Sequence, residues 1–132
     1  HQKRRPPHWK TIETKFDIAK AYQSIQNDHC ILFDCLSMWV TNQLLIYEND
    51  LTSENIEKTY ESLFLELSSI YSHTRNRSAK TIIVSNEVGG GIVPTSKLAR
   101  VYRDMLGTIN QSVASHANDA WLLVAGRPIK LP

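Results

Sequence analysis

Two stretches decide the reading: Cys30-Ile31-Leu32-Phe33-Asp34 and Thr81-Ile82-Ile83-Val84-Ser85. Each is a short, unbroken apolar run that stops at a polar residue. Continuous rather than alternating hydrophobicity suits a strand covered on both faces, as in a parallel sheet. A third run, Ala120-Trp121-Leu122-Leu123-Val124-Ala125, stops at Gly126. Segments of helical period separate the three. Strands that alternate with helices predict an α/β fold with a mostly parallel sheet and right-handed crossovers. In such sheets ligands sit off the carboxyl ends of the strands. Those ends are Asp34, then Ser85-Asn86-Glu87, then Gly126-Arg127.

The helices follow from spacing. One is expected over about residues 15 to 26, and a short apolar one over 36 to 46. Ile56, Tyr60, Leu63, Phe64, Leu67, Ile70 and Tyr71 trace one face of a longer helix, which Thr52 or Ser53 can cap. Thr95 is expected to cap another, with Leu98, Val101 or Tyr102, Met105, Ile109 and Val113 on one face. Gly107 interrupts that helix at a cost of about 1 kcal/mol relative to alanine, which points to close packing or the close approach of a partner. Arg5-Pro6-Pro7 cannot be helix interior and reads as an extended arm. Trp9, Trp39 and Trp121 are assigned to the core.

The 132 residues suit a single domain, 1–132. A composition 42% hydrophobic and 21% charged excludes disorder throughout. No apolar run approaches the roughly 18 residues of a membrane span, and no apolar segment follows the basic N-terminus as in a secretory signal. The net charge of +2 is too small to argue for nucleic acid. It is unevenly spread, however: Lys3, Arg4, Arg5 and Lys10 fall in the first ten residues with no acid among them. Cys30 and Cys35 have no second pair to build a zinc site and read as free thiols in a reducing cytoplasm. His8, His29, His73 and His116 show no metal-ligand spacing.

Asp34 closes an apolar strand, the Walker-B arrangement in which a carboxylate holds Mg²⁺ beside nucleotide phosphates. An acid that merely caps the next helix gives the same pattern. Residues 86 to 94 contain Gly89-Gly90-Gly91, a run that lets backbone approach a ligand or turn sharply. It is not a P-loop, because no Gly-Lys-Ser/Thr follows. A flexible connection explains it as well. Arg100 and Asp104 stand four apart and can pair on a helix surface.

Taken in order, four blocks carry a resemblance. They are His1-x-x-x-Arg5-Pro6-x-x-Trp9-x-Thr11-x-Glu13; Asp34-Cys35-Leu36-x-x-Trp39-x-Thr41-Asn42; Val84-Ser85-Asn86-Glu87-Val88-Gly89-x-Gly91-Ile92-Val93-Pro94; and Leu98-Ala99-Arg100-x-Tyr102-Arg103-Asp104-x-x-Gly107-x-x-Asn110-Gln111. Together they resemble the cobinamide kinase/cobinamide-phosphate guanylyltransferase family of cobalamin biosynthesis, across essentially the whole chain. The resemblance implies a P-loop NTPase (RecA-like) three-layer domain. It implies a bifunctional enzyme that phosphorylates adenosylcobinamide with a nucleoside triphosphate, ATP or GTP. The enzyme then transfers GMP from GTP to adenosylcobinamide phosphate through a GMP-histidine intermediate. His1 holds the place of that histidine. Gln2, Lys3, Arg4 and Arg5 match a nucleotide-contacting stretch, and Glu13 and Asp34 match two acidic nucleotide-site positions, Asp34 with Mg²⁺. The implied partners are the corrinoid substrates, GTP and ATP, and further copies of the chain in a homo-oligomer, with neither nucleic acid nor a membrane. One feature of the family is not among these residues: a Walker-A unit of strand, Gly-Lys-Ser loop and helix. It is expected upstream of His1 in the natural protein. The competing reading is a non-catalytic nucleotide-binding or assembly module that keeps the fold without that loop.

Overall fold

The computed structural model describes residues 5–132. In chain order the elements are α1 (Ile18–Gln23), β1 (Ile31–Asp34), α2 (Leu36–Leu44) with a 3-10 turn over Leu45–Tyr47, α3 (Ser53–Arg75), β2 (Thr81–Val84), α4 (Lys97–His116), β3 (Trp121–Val124) and β4 (Arg127–Lys130). β1 and β2 pair in parallel, Ile31 beside Thr81 through Asp34 beside Val84. The α/β order and a parallel pair of the two deciding stretches are therefore present.

The core lies where four helices meet one face of that pair. Ile18 and Tyr22 of α1, Ile31 of β1, Leu36, Trp39, Val40 and Leu44 of α2, Leu63, Leu67 and Ile70 of α3, and Met105, Leu106 and Ile109 of α4 are all buried. The α3 residues recur at spacings of four and three, the stripe a helix needs to face one neighbour. Phe33 bridges the sheet to the helices, its ring centroid 6.2 Å from both Tyr22 and Trp39. Leu106, fully buried, lies beside the expected α4 stripe and widens it.

Three expectations about burial are corrected. Among the described residues the β1–β2 pair is covered on one face: Leu32, Ile82 and Val84 are 46%, 55% and 42% exposed. In a two-stranded sheet with its helices on one side, alternate side chains necessarily face outward. β3 does not join the parallel sheet. It pairs antiparallel with β4, Trp121 beside Lys130 and Val124 beside Arg127, through a two-residue turn in which Ala125 has φ 51° and Gly126 φ 75°. Positive φ at both positions matches the twist of a tight hairpin, so local pairing accounts for the segment. Trp9 and Trp121 are about half exposed, whereas Trp39 is buried.

The ends of the helices are set by caps. Thr52 Oγ1 accepts from Asn55 N at 3.2 Å and starts α3. Ser96, not Thr95, caps α4, accepting from Ala99 N at 3.4 Å. The Thr95 carbonyl is instead held by Arg100. α1 is shorter than its sequence period suggests, six residues between an N-terminal segment without regular structure and the turn at Ser24. Past α3, Arg77 donates to the carbonyls of Ile25 at 3.1 Å and of Gln26 and His29 at 2.6 Å each. One guanidinium thus ties the loop before β2 to the loop before β1, next to the strands' shared register. Among the described residues no helix is long and apolar enough to cross a membrane.

Candidate functional site

The carboxyl ends of β1 and β2 lie side by side because the strands are parallel and in register from Ile31 to Asp34. Asp34 closes β1 and is exposed. Three residues on, the first turn of α2 presents Ser37, which is buried. Its hydroxyl donates to Asn86 Oδ1 at 2.5 Å and lies 3.0 Å from Cys35 Sγ. Asn110, on α4, donates its amide to the Asn86 carbonyl at 3.0 Å and accepts from the Ser85 hydroxyl at 2.6 Å. Five polar side chains from two strand ends and two helices thus form one chain of contacts. The sequence rule about strand ends singled out Asp34 and Ser85-Asn86-Glu87, whose strands pair in parallel, but not Ser37 or Asn110. Their signal was present: a hydroxyl in the first turn after the strand, and an amide on α4 in the fourth block.

The loop of 85 to 96 is fastened at both ends. Glu87 Oε1 accepts from Gly89 N at 2.5 Å, which folds the carboxylate back on the glycine run. At the far end Arg100 donates to the carbonyls of Pro94 at 3.0 Å and Thr95 at 2.6 Å. Arg100 therefore serves the loop and not the expected pair with Asp104. The cation beside Asp104 is Arg103, Nε to Oδ1 at 3.6 Å. Between this loop and α4 opens a groove of about 560 Å³, lined by Gly89, Gly91, Val93, Arg103, Asp104, Gly107, Thr108 and Gln111.

Of the residues the sequence singled out, His1, Gln2, Lys3 and Arg4 lie outside the described residues. Arg5 is half-buried and its guanidinium donates to Thr11 Oγ1 at 3.0 Å, so it is held within the N-terminal arm. Glu13 is exposed on the same arm. The arm carries no regular structure from Arg5 to Asp17, beyond a turn in which Trp9 N donates to Pro6 O at 3.0 Å. Gly126-Arg127, the third expected strand end, sits in the β3–β4 hairpin and not at the end of the parallel pair. The two cysteines are free thiols, Cys30 exposed and Cys35 half-buried. Among the described residues no three His, Cys, Asp or Glu side chains gather as a metal cage. Mg²⁺ does not require one, since it keeps waters and substrate phosphates and takes one or two carboxylates. An exposed strand-end carboxylate such as Asp34 fits that donor set.

The family described as cobinamide kinase / cobinamide phosphate guanyltransferase matches residues 1–131. The bifunctional adenosylcobalamin biosynthesis proteins CobU of Escherichia coli and of Salmonella typhimurium are each 34% identical to the chain over 134 residues, covering 99% of it and 74% of their own length. CobP of Pseudomonas aeruginosa, of the same description, is 33% identical over 132 residues, covering 99% of the chain and 70% of its own length. A match of this extent, over a strand-end site in an α/β fold, places the chain among transferases: it belongs to the cobinamide kinase / cobinamide phosphate guanyltransferase family.

Proposed function

We propose that the protein carries out both reactions its family is named for, phosphorylating cobinamide and then transferring GMP from GTP to the cobinamide phosphate, with His1 as the nucleotide-bearing residue. The observation that carries this reading is the family match over residues 1–131, in which His1 stands four residues before Arg5-Pro6.

The first reaction moves the γ-phosphoryl group of ATP or GTP to the corrinoid hydroxyl. The bond between the β,γ-bridging oxygen and γ-phosphorus breaks, a nucleoside diphosphate leaves, and the hydroxyl proton is lost. In the second, a neutral His1 imidazole nitrogen attacks the α-phosphorus of GTP, and pyrophosphate leaves. A phosphate oxygen of the corrinoid phosphate then attacks the same phosphorus. The N–P bond breaks, the imidazole is restored, and the product carries a diphosphate. Splitting the transfer in two lets each half use a good nucleophile. Gln2, Lys3, Arg4 and Arg5 follow His1 directly, where their donors and charges can offset the negative charge that builds on the phosphates. Glu13 lies one short reach further along the arm. Mg²⁺ at Asp34 would supply further charge neutralisation on the nucleotide. The Ser37–Asn86–Asn110 contacts fix the two strand ends around that carboxylate.

Intact-mass measurement of the full-length enzyme after incubation with Mg-GTP tests the reading. The expected result is a GMP adduct that maps to His1 and discharges on adding cobinamide phosphate. A protein that binds nucleotide without forming any adduct would be the non-catalytic module instead. Exposed Phe64 and Leu65 on α3 support association of copies as part of the same reading.

A further inference from the structure

Gly107 is unexplained by the fold around it. It sits in the interior of α4, where glycine is the weakest ordinary helix former. Its φ is not in the left-handed region, so the backbone does not require glycine there. Among the described residues a Cβ built on it would meet nothing within 4 Å, so packing between them does not require glycine either. Gly107 lines the same groove as Gly89 and Gly91, and its missing side chain leaves that part of the wall open.

We propose that this groove receives the amide-fringed edge of the corrinoid acceptor, and that Gly107 keeps its wall open for the macrocycle. The inference rests on the function proposed above. Three features favour this occupant. The volume of about 560 Å³ falls in the range of small-molecule sites, and the open shape suits one edge of a ring larger than the groove. The charged lining is one arginine and one aspartate, already 3.6 Å apart, which leaves no net charge. A triphosphate would find no cationic cradle there, whereas the corrin carboxamides are neutral and both donate and accept. Gln111, the Asp104 carboxylate and the Arg103 guanidinium offer the matching acceptors and donors. The groove also adjoins the strand ends: Asn110, next to Gln111, is the residue that holds the Asn86 carbonyl.

The test is calorimetric titration of the full-length enzyme with cobinamide and, separately, with GTP, for wild type, Gly107→Ala, Gly107→Leu and Gln111→Ala. Gly107→Leu should lose cobinamide affinity by at least about tenfold while GTP affinity stays within about twofold. Gly107→Ala should lose less and should melt no lower than wild type, because alanine favours the helix. Gln111→Ala, on an exposed position, gives a second reading should the leucine variant fail to fold. If wild type binds cobinamide and all three variants bind it equally well, the groove assignment is overturned and the proposed function stands. Parallel losses for GTP and cobinamide overturn it in favour of a nucleotide groove. A wild-type enzyme that binds no cobinamide overturns both.

Discussion

The buried hydroxyl of Ser37 donates to the side-chain carbonyl of Asn86 at 2.5 Å, joining the first turn after β1 to the loop after β2. The two residues are 49 positions apart and meet only because the strands run parallel and in register. The bond does two things at once. It satisfies a polar group that would be costly to bury alone, and it fixes the spacing of the two strand ends that frame Asp34.

Ser37→Ala should therefore cost about 1–2 kcal/mol, the penalty of leaving a partner unsatisfied. It should lower both transferase activities by more than the fraction of protein it unfolds. Asn110→Ala, which frees the Asn86 carbonyl, should act in the same direction. Denaturant melts run beside activity at a temperature where both variants are fully folded would separate the two effects. Unchanged kcat and KM in the folded Ser37→Ala protein would remove the network from the site.

The sequence made the strand ends legible because an unbroken apolar run can be read without tertiary information. It named Asp34 and the Ser85-Asn86-Glu87 segment correctly as neighbours at one end of a sheet. Ser37, Asn110 and Arg100 were not legible in the same way. Their roles depend on which carbonyls and amides come within reach after folding, and helical spacing alone suggested a pair of Arg100 with Asp104. The hairpin was missed for a related reason. The apolar run of β3 looks like a buried strand, but the positive φ values at Ala125 and Gly126 turn it back on β4. Arg77 shows the same limit from the side of stability: in the sequence it is one cation of a basic loop, in the fold it bridges three carbonyls.

His1→Ala in the full-length enzyme should abolish GMP labelling while leaving cobinamide phosphorylation measurable, since only the second reaction uses the imidazole. Labelling at the wild-type level in that variant would reassign the nucleophile. Asp34→Asn should weaken Mg-nucleotide binding by about tenfold or more, the effect of removing a charged ligand from a metal-phosphate site. An Asp34→Asn enzyme with wild-type nucleotide affinity would mean that the carboxylate serves only the strand end.

Arg77→Ala should be among the more damaging substitutions outside the core. Three carbonyls lose a charged donor at once, and about 2–3 kcal/mol is the expected loss. For a domain of this size that lowers Tm by roughly 10 °C. Arg77→Lys should recover only part of it, because an ammonium cannot span the carbonyls of Ile25, Gln26 and His29 as the planar guanidinium does. A Tm within about 2 °C of wild type for Arg77→Ala would show that the loops before β1 and β2 hold together without it.

Tyr22 gives a pH signature. Its hydroxyl is buried and has no hydrogen-bond partner among the described residues, and burial pushes its ionisation well above the ordinary value of 10.0, with the nearby Arg77 charge opposing the shift only in part. The neutral phenol is therefore the form the fold accepts. In the unfolded chain the same phenol ionises near pH 10, so above that pH the unfolded state releases a proton that the folded state retains. The sign follows from linkage: stability is intact below about pH 10 and falls as pH rises beyond it, by up to about 1.4 kcal/mol per pH unit for this group. Tyr71, half-buried and also shifted upward by burial, adds in the same direction. Tyr22→Phe removes an unpartnered hydroxyl without changing the ring, so at pH 7 it should be neutral or slightly stabilising. Between pH 10 and 11.5 its stability should fall less steeply than that of wild type. Urea melts across that range decide the matter, and superimposable alkaline curves for the two proteins would mean that the Tyr22 hydroxyl reaches water in the folded state.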